Sequence, residues 1–467
     1  MSRAAISVCI ILWLSLVGWL STLGYGLDTD AWNFSRKMTD MAEAGTYLRA
    51  RVPGSPLFEY LMSWLIPKAG WLGSNLFSLL CGLGILWTAL FLGQKGHLKH
   101  PWLSSLALGF APMVMVQSSS TMDYIPSLCL VFASWALLLA GKRRGSALLL
   151  GLSCGFRLSG GLFLLPALFF LWRKRAPLKE LGIYGSLAMV SGMLAFSPTL
   201  FSYGLELPVF FEGAILSYRL QMGAYLSLGL MGLLASIIFL GGLLWDRKKF
   251  QALLFKDAET GAYLLWIFLM LFAFFQLPME VAYLLPILPF MVLMADKVLG
   301  KRPMFLVLVG ILSYHFMQVE LKDGPPGQRT FSPHLAPGYT WKDIQGRQRQ
   351  LQERAWLDSL TVEQPILLMY AWEWTGNDNP NWDWDPENGW FVRKDGMVYL
   401  SNFVLDEKKL QQLSQAGLIL LLWEEYMWAF PAHAETQQAD RSYLVDRYVQ
   451  MVRSWEEVAA IARNSPR

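Results

Sequence analysis

Apolar runs long enough to cross about 30 Å of hydrocarbon recur from Arg3 to about position 320, and no other feature constrains the fold as strongly. They fall near 5–25, 72–93, 101–118, 123–140, 145–157, 159–172, 180–203, 224–245, 261–277, 281–299 and 303–320, about eleven in all. In lipid every backbone N–H and C=O has to be satisfied within its own segment, so such runs are helices. The expectation is a mostly α, polytopic membrane protein. The runs 145–157 and 159–172 are short and read either as two spans or as a tilted or re-entrant hairpin. In both cases Lys142-Arg143-Arg144 and Arg173-Lys174-Arg175 lie on one side of the membrane. The run after Arg3 lacks a convincing signal-peptide cleavage site and reads as a retained first span.

The distribution of cations sets the orientation, because Lys and Arg accumulate in cytoplasmic loops. With the amino terminus inside, Arg3 and the turns 94–100, 141–145, 172–179, 246–259 and 297–302 hold 17 Lys and Arg. The opposite short loops hold six: Arg36, Lys37, Arg49, Arg51, Lys68 and Arg219. The first outer loop, 27–71, and everything after residue 320 therefore face outward. Cys9, Cys81, Cys129 and Cys154 all lie inside apolar runs without metal-ligand spacing, so neither a disulfide framework nor a zinc site is expected.

The first span ends in Gly24-Tyr25-Gly26-Leu27-Asp28-Thr29-Asp30, and two carboxylates so close together belong at the water boundary or in a polar cavity. Asp30 also suits the N-cap of the helix that follows, with Asp28 solvated beside it. In that helix Ala31, Phe34, Met38, Met41 and Gly45 recur at three- and four-residue steps, as in a helix lying in the membrane interface. Arg49 to Gly54 breaks it. Ser55-Pro56 then starts a second helix, whose apolar run Leu57–Ile66 is too short to span.

Later outer turns carry further polar groups. In Gln117-Ser118-Ser119-Ser120-Thr121-Met122-Asp123, either Thr121 or Asp123 can cap the next span, or Asp123 is a site residue. Arg157 sits at an apolar hairpin tip, either as a site residue or snorkelling to the interface. The loop 204–223 contributes Glu206, Glu212, Tyr218 and Arg219, and Glu280 follows Pro278.

From residue 321 the composition changes. Asp323-Gly324-Pro325-Pro326-Gly327 reads as a linker, leading to a small soluble α/β domain over 321–467 that holds ten of the 21 tryptophans. A polar helix is expected near 341–360 and another at 406–416, with two more at 439–450 and 454–463. Pro365–Tyr370 and Leu418–Leu422 read as buried parallel-type strands, with a hairpin near 390–404. The segment Trp372–Gly389 interleaves Trp with Asp. Its glycine does not fall where a calcium loop needs one, and the remaining readings are a sugar-stacking surface or a structured surface loop.

The order of these elements resembles the membrane glycosyltransferases of the GT-C fold, in the branch of protein O-mannosyltransferases and aminoarabinose transferases. The matching stretches are Tyr25-Gly26-Leu27-Asp28-Thr29-Asp30, the two-helix outer loop with Gly54-Ser55-Pro56-Leu57, and Ser120-Thr121-Met122-Asp123. Where relatives often carry His-Pro-Pro, this chain has Gly54-Ser55-Pro56. The resemblance spans roughly residues 5–200, giving a catalytic membrane domain over 1–320 with the soluble domain after it.

What the resemblance implies is hexosyl or pentosyl transfer from a polyprenyl-phosphate sugar to a lipid, glycan or protein acceptor, on the outer face of the inner (cytoplasmic) membrane. In such a reaction one carboxylate takes the acceptor's proton while the phosphate leaves. Asp28 is the first candidate for that base and Asp30 the second, with Asp123 orienting the acceptor or binding an ion. Arg49, Arg51, Arg157 and Arg219 are candidates for holding the phosphate, whose geometry suits guanidinium. Two acids and a phosphate can also hold Mg²⁺ or Mn²⁺, but no metal or other cofactor is expected.

Two other classes compete. A transporter or flippase of lipid-linked sugars would carry matched broken helices and mid-membrane charges, and no internal repeat is seen. A non-catalytic envelope assembly protein would tolerate loss of Asp28. No nucleotide-binding motif lies on the cytoplasmic side, and no nucleic acid partner is expected.

Overall fold

The computed structural model describes residues 3–204, 257–276, 281–322, 332–369, 379, 381–385, 390–401, 407–423 and 450–464. The span near 224–245, the loop residues Glu206, Glu212, Tyr218, Arg219 and Glu280, the Asp323–Gly327 linker and most of 372–389 and 439–450 lie outside them. The chain forms two compact units, the first Met1–Leu27 with Lys37–Gly346, the second Asp28–Arg36 with Arg347–Arg467.

The first unit is helical: α1 (Arg3–Leu20), the second half of α2 (Thr29–Ala44), α3 (Pro56–Gln94), α4 (Pro101–Gly109), α5 (Pro112–Gln117), α6 (Tyr124–Leu139), α7 (Arg143–Phe156), α8 (Leu164–Arg173), α9 (Leu178–Tyr203), α10 (Ala258–Gln276), α11 (Leu288–Val298) and α12 (Lys301–Ser313). Among the described residues, α3, α9 and the stretch Ala258–Phe275 are long and apolar enough to cross a membrane, and Ser7–Leu20, Tyr124–Leu139 and Leu158–Arg173 are shorter apolar helices.

Several boundaries differ from the sequence reading. The outer-loop helix after Pro56 and the next span are one continuous α3, kinked at Gly70 (φ 53°, ψ −146°), three residues after Pro67. Only glycine takes that backbone conformation readily, and Pro67 removes one helical donor, so the chain bends and then resumes. Ser55 does not cap α3 through its side chain. The run 101–118 splits into α4 and α5 at Phe110-Ala111, before Pro112, and 159–172 opens as a 3₁₀ turn, Leu158–Phe163. The run 303–320 is not one span: α12 ends at Ser313 and β1 (Met317–Lys322) pairs antiparallel with β2 (Ser332–Pro337). The apolar face of α2 is buried in the protein, Ala31, Phe34, Met38 and Met41 all at 5% exposure or less.

An aromatic core joins α6, the 3₁₀ turn, α10 and α11. Phe163 meets Trp266 at 5.0 Å and Phe290 at 5.1 Å between ring centroids, and Trp135 edges onto Phe163 at 5.7 Å. Aromatic pairs at these separations add about 0.5–1.5 kcal/mol each beyond area burial. The cluster fixes the segment that follows Arg157.

The second unit is a six-stranded sheet in the order β4-β5-β6-β3-β7-β8: β3 (Ile366–Met369), β4 (Trp382–Asp385), β5 (Trp390–Arg393), β6 (Val398–Ser401), β7 (Ile419–Trp423) and β8 (Gln450–Val452). β3 runs parallel to β6 and β7, as unbroken apolar runs buried on both faces require. The helix α13 (Tyr339–Ser359) crosses the division between the units. α14 (Glu407–Gln415) and α15 (Trp455–Asn464) match expected helices. Part of the Trp/Asp segment is strand: Trp382 and Trp384 alternate with Asp383 and Asp385 in β4, and Trp382 is buried.

Candidate functional site

Three polar residues from separate parts of the first unit converge at Asp123. Asp123, 4% exposed, stands immediately before α6, and its Oδ1 accepts from Nη2 of Arg51 at 2.6 Å and from Nη1 of Arg157 at 2.9 Å. The guanidinium of Arg157 lies 4.2 Å from the Tyr124 ring centroid and 4.9 Å from that of Tyr283, and Arg51 lies 5.4 Å from Tyr124. Beside Arg157 a small cavity is lined by Tyr124, Ser127, Ser159, Gly160, Trp266 and Pro286, among others.

Each partner is held by its own local structure. Arg157 ends α7 in an extended conformation (φ −161°, ψ 121°), and its carbonyl accepts from Gly160 at 2.9 Å, so its side chain leaves at the junction of α7 with the 3₁₀ turn. Asp123 makes no helix-capping hydrogen bond through its side chain. The neighbouring Thr121 does not cap either. Its hydroxyl donates to Oδ1 of Asn75 (2.9 Å) and lies 2.5 Å from Ser74 Oγ, while its N–H donates to the Tyr25 carbonyl at 2.7 Å. Asn75 in turn donates to the carbonyls of Ser21 and Gly24, and Ser78 to that of Ser120. This buried polar seam ties the end of α1 to α3 and to the turn bearing Asp123.

Arg51 is delivered by the loop 45–55, and the residue that fixes this loop is Glu59, in the first turn of α3. Glu59 is fully buried. Its carboxylate accepts from the N–H of Ala50 (2.9 Å), the N–H of Ser55 (3.2 Å) and the hydroxyl of Tyr47. With that proton committed to Glu59, Thr199 of α9 donates to Tyr47 Oη at 2.7 Å. Burial and then the Glu59 charge push the Tyr47 phenol far above its usual range, so it stays a donor. Gly54 lets the loop pass Thr199, because its positive φ is one that only glycine takes readily. At its φ of +104° a Cβ would sit 2.8 Å from Thr199 Oγ1.

The remaining site residues named from sequence distribute as follows. Arg49 belongs to the same loop, its N–H donating to Tyr203 Oη at 3.3 Å and its guanidinium 4.5 Å from that ring. Arg219 lies outside the described residues. Asp28 and Asp30 belong to the second unit, where Oδ1 of Asp28 accepts from the N–H of Asp30 at 2.9 Å at the start of α2. The cap is thus Asp28, with Asp30 in the first turn, the reverse of the capping reading. In that unit Arg36 stacks 4.1 Å from the Trp384 ring. The sequence reading missed Glu59, although an acid inside the apolar run Leu57–Ile66 is itself a signal. Among the described residues, no three His, Cys, Asp or Glu side chains gather as a metal site would require.

Two guanidinia thus share one carboxylate oxygen. Each guanidinium presents five donors in a planar fork, a geometry that matches the oxygens of phosphate.

No protein-family model matches the sequence, nor does any curated protein. Among solved structures, the chain is similar to ArnT from Cupriavidus metallidurans bound to undecaprenyl phosphate, with a TM-score of 0.52 at 12% identity over 80% of this chain and 84% of that one. The apo state of ArnT gives a TM-score of 0.51 at 13% identity, with the same coverage. The chain has the GT-C fold. At this identity the likeness concerns the fold, and the GT-C architecture is that of a polytopic membrane protein, in keeping with the apolar helices described above.

Proposed function

We propose that this GT-C protein is an integral-membrane glycosyltransferase, moving a hexose or pentose from a polyprenyl phosphate to an acceptor on the outer face of the inner membrane. The observation that carries the reading is the convergence of two forked guanidinia, Arg51 and Arg157, on one oxygen of Asp123 in an ArnT-like fold. ArnT has been solved with undecaprenyl phosphate, and a polyprenyl-phosphate partner fits two forked donors.

In the proposed reaction an acceptor oxygen attacks the anomeric carbon and the bond from that carbon to the phosphate oxygen breaks. The acceptor proton passes to a carboxylate, for which Asp28 is the first choice and Asp30 the second. Arg51 and Arg157 stabilise the charge that develops on the departing phosphate, with Arg49 and Arg219 as further candidates. Asp123 holds the two guanidinia together. Because guanidinia supply the cationic charge, transfer proceeds without added metal. In the proposed orientation the amino terminus faces inward and the carboxy-terminal domain outward.

The test is transfer in proteoliposomes supplied with a panel of polyprenyl-phosphate pentoses and hexoses, read as release of polyprenyl phosphate with and without EDTA. Wild type consumes at least one donor, and Arg51→Ala and Arg157→Ala do so at least about 100-fold more slowly. Failure to consume any donor, or full activity in both variants, overturns the reading.

A further inference from the structure

At the opposite end of α7 from Arg157, about 20 Å away at the helical rise per residue, lies a second cationic feature unconnected with sugar transfer. The turn Gly141-Lys142-Arg143-Arg144-Gly145 forms one wall of an open groove, and Glu180, Ile183, Tyr184 and Leu187 of α9 form the other. α9 enters the groove directly after a turn carrying Arg173, Lys174 and Arg175, which runs on into Lys179 in its own first turn. The two turns together hold seven cations and one acid, Glu180, which is ion-paired with Arg143. Lys142, Arg144, Lys174, Arg175 and Lys179 are exposed.

The groove continues into apolar surface. Ile183, Leu187, Val190 and Leu194 recur at helical spacing along one face of α9. Of these, Ile183 is 45% exposed, Val190 50% and Leu194 68%. Trp172 at the end of α8 and Leu178 at the start of α9 are also exposed, and an aromatic ring is at home at the headgroup level of a bilayer. The walls are fixed from inside by hydrogen bonds joining three helices: Ser134 of α6 lies 3.0 Å from Ser146 of α7, which lies 2.9 Å from Tyr184 of α9.

Basic side chains above an apolar rail match a molecule with an anionic head and a hydrocarbon tail. A soluble polyanion has no use for the rail, and a neutral lipid none for the cations. We propose that this groove binds one anionic glycerophospholipid, with its phosphate against Lys142 and Arg144 and an acyl chain along Ile183, Leu187, Val190 and Leu194. By the positive-inside count this is the cytoplasmic leaflet, and the proposal is independent of the transferase reading.

Full-length protein in neutral detergent is titrated with phosphatidylglycerol, with phosphatidylcholine of the same chains, and with inorganic phosphate, following the thermal midpoint and the bound mass by native mass spectrometry. Phosphatidylglycerol binds one to one and raises the midpoint, and the other two do not. Lys142→Gln with Arg144→Gln weakens that binding by about 30-fold, taking each cation at its usual worth near an anionic lipid. Lys301→Gln with Arg302→Gln, an exposed basic pair on α12, changes it less than about threefold on the same principle, being outside the groove. Equal response to phosphatidylcholine, reproduction of the shift by phosphate, or equal loss in both pairs of variants overturns the proposal. If the groove pair fails to fold, Val190→Gln with Leu194→Gln on the exposed rail carries the same test.

Discussion

Arg51 and Arg157 come from different loops and donate to the same oxygen, Oδ1 of Asp123, at 2.6 and 2.9 Å. One carboxylate therefore holds both guanidinia in place. Asp123→Ala removes the carboxylate that the two guanidinia share, at a cost of about 3 kcal/mol in stability, read as a lower thermal midpoint in detergent. Arg51→Lys keeps the charge but loses the fork, and is expected to recover less than about a tenth of the wild-type transfer rate. A lysine variant with wild-type kinetics would show that charge alone suffices.

Asp28 has two candidate roles, and one pair of substitutions separates them. Its carboxylate accepts from the Asp30 N–H at the start of α2. Asparagine caps a helix about as well as aspartate and alanine does not, whereas neither takes a proton. If Asp28 is the base, Asp28→Asn unfolds at the wild-type temperature and loses about 100-fold or more in kcat. If it only caps, Asp28→Asn keeps full activity and Asp28→Ala alone loses about 1 kcal/mol of stability.

Glu59 anchors the loop that presents Arg51. Its carboxylate holds the Ala50 and Ser55 N–H groups and the Tyr47 hydroxyl. Removing it strands all three, so Glu59→Ala is expected to lose about 3 kcal/mol. Tyr47→Phe removes one donor and leaves the backbone contacts, with a loss of about 1 kcal/mol. Comparison of thermal midpoints settles the order; equal losses would mean that the loop depends on Tyr47 and Thr199 rather than on the carboxylate.

At the start of α10, Lys297 pairs with both Asp257 and Glu259 at 2.7 Å. Burial raises Asp257, but the Lys297 ammonium, with the Thr260 hydroxyl, outweighs it and holds the carboxyl below its usual range. A depressed folded-state value stabilises above the unfolded value, near 4, and that contribution is lost as pH falls through the folded value. In Lys297→Met only the Thr260 hydroxyl and the Glu259 N–H still oppose burial, so the carboxyl moves up and the fall of the thermal midpoint on acidification is smaller than in wild type. A variant whose profile parallels wild type would remove Lys297 from this account.

Local pattern is enough to mark the apolar helices, the buried strands Ile366–Met369 and Ile419–Trp423 and the polar face of α2, because each repeats at its own period. It fails where a distant partner decides. From its neighbours alone Asp123 reads as either a cap or a site residue, and only the fold brings Arg51 and Arg157 to it. Two misses have a visible signal. Met317, Val319 and Leu321 alternate with Gln318 and Glu320, and Trp382 and Trp384 with Asp383 and Asp385. Both are strand periods, the first hidden at the end of an apolar run and the second inside a segment rich in turn formers. Pro67, Lys68 and Gly70 suggest a break between two helices, but the chain bends there and α3 continues.

The polar seam around Asn75 also bears on how the chain enters its membrane. Ser118 to Thr121 are almost wholly enclosed, and no lipid chain can replace the partners that Thr121 and the Ser120 carbonyl find on α3. During synthesis α3 emerges first, so its Ser74, Asn75 and Ser78 are already in the bilayer when the serine-rich stretch arrives. Biogenesis of this half of the protein is therefore ordered by chemistry as well as by translation, each arriving segment finding its polar partners among those already inserted.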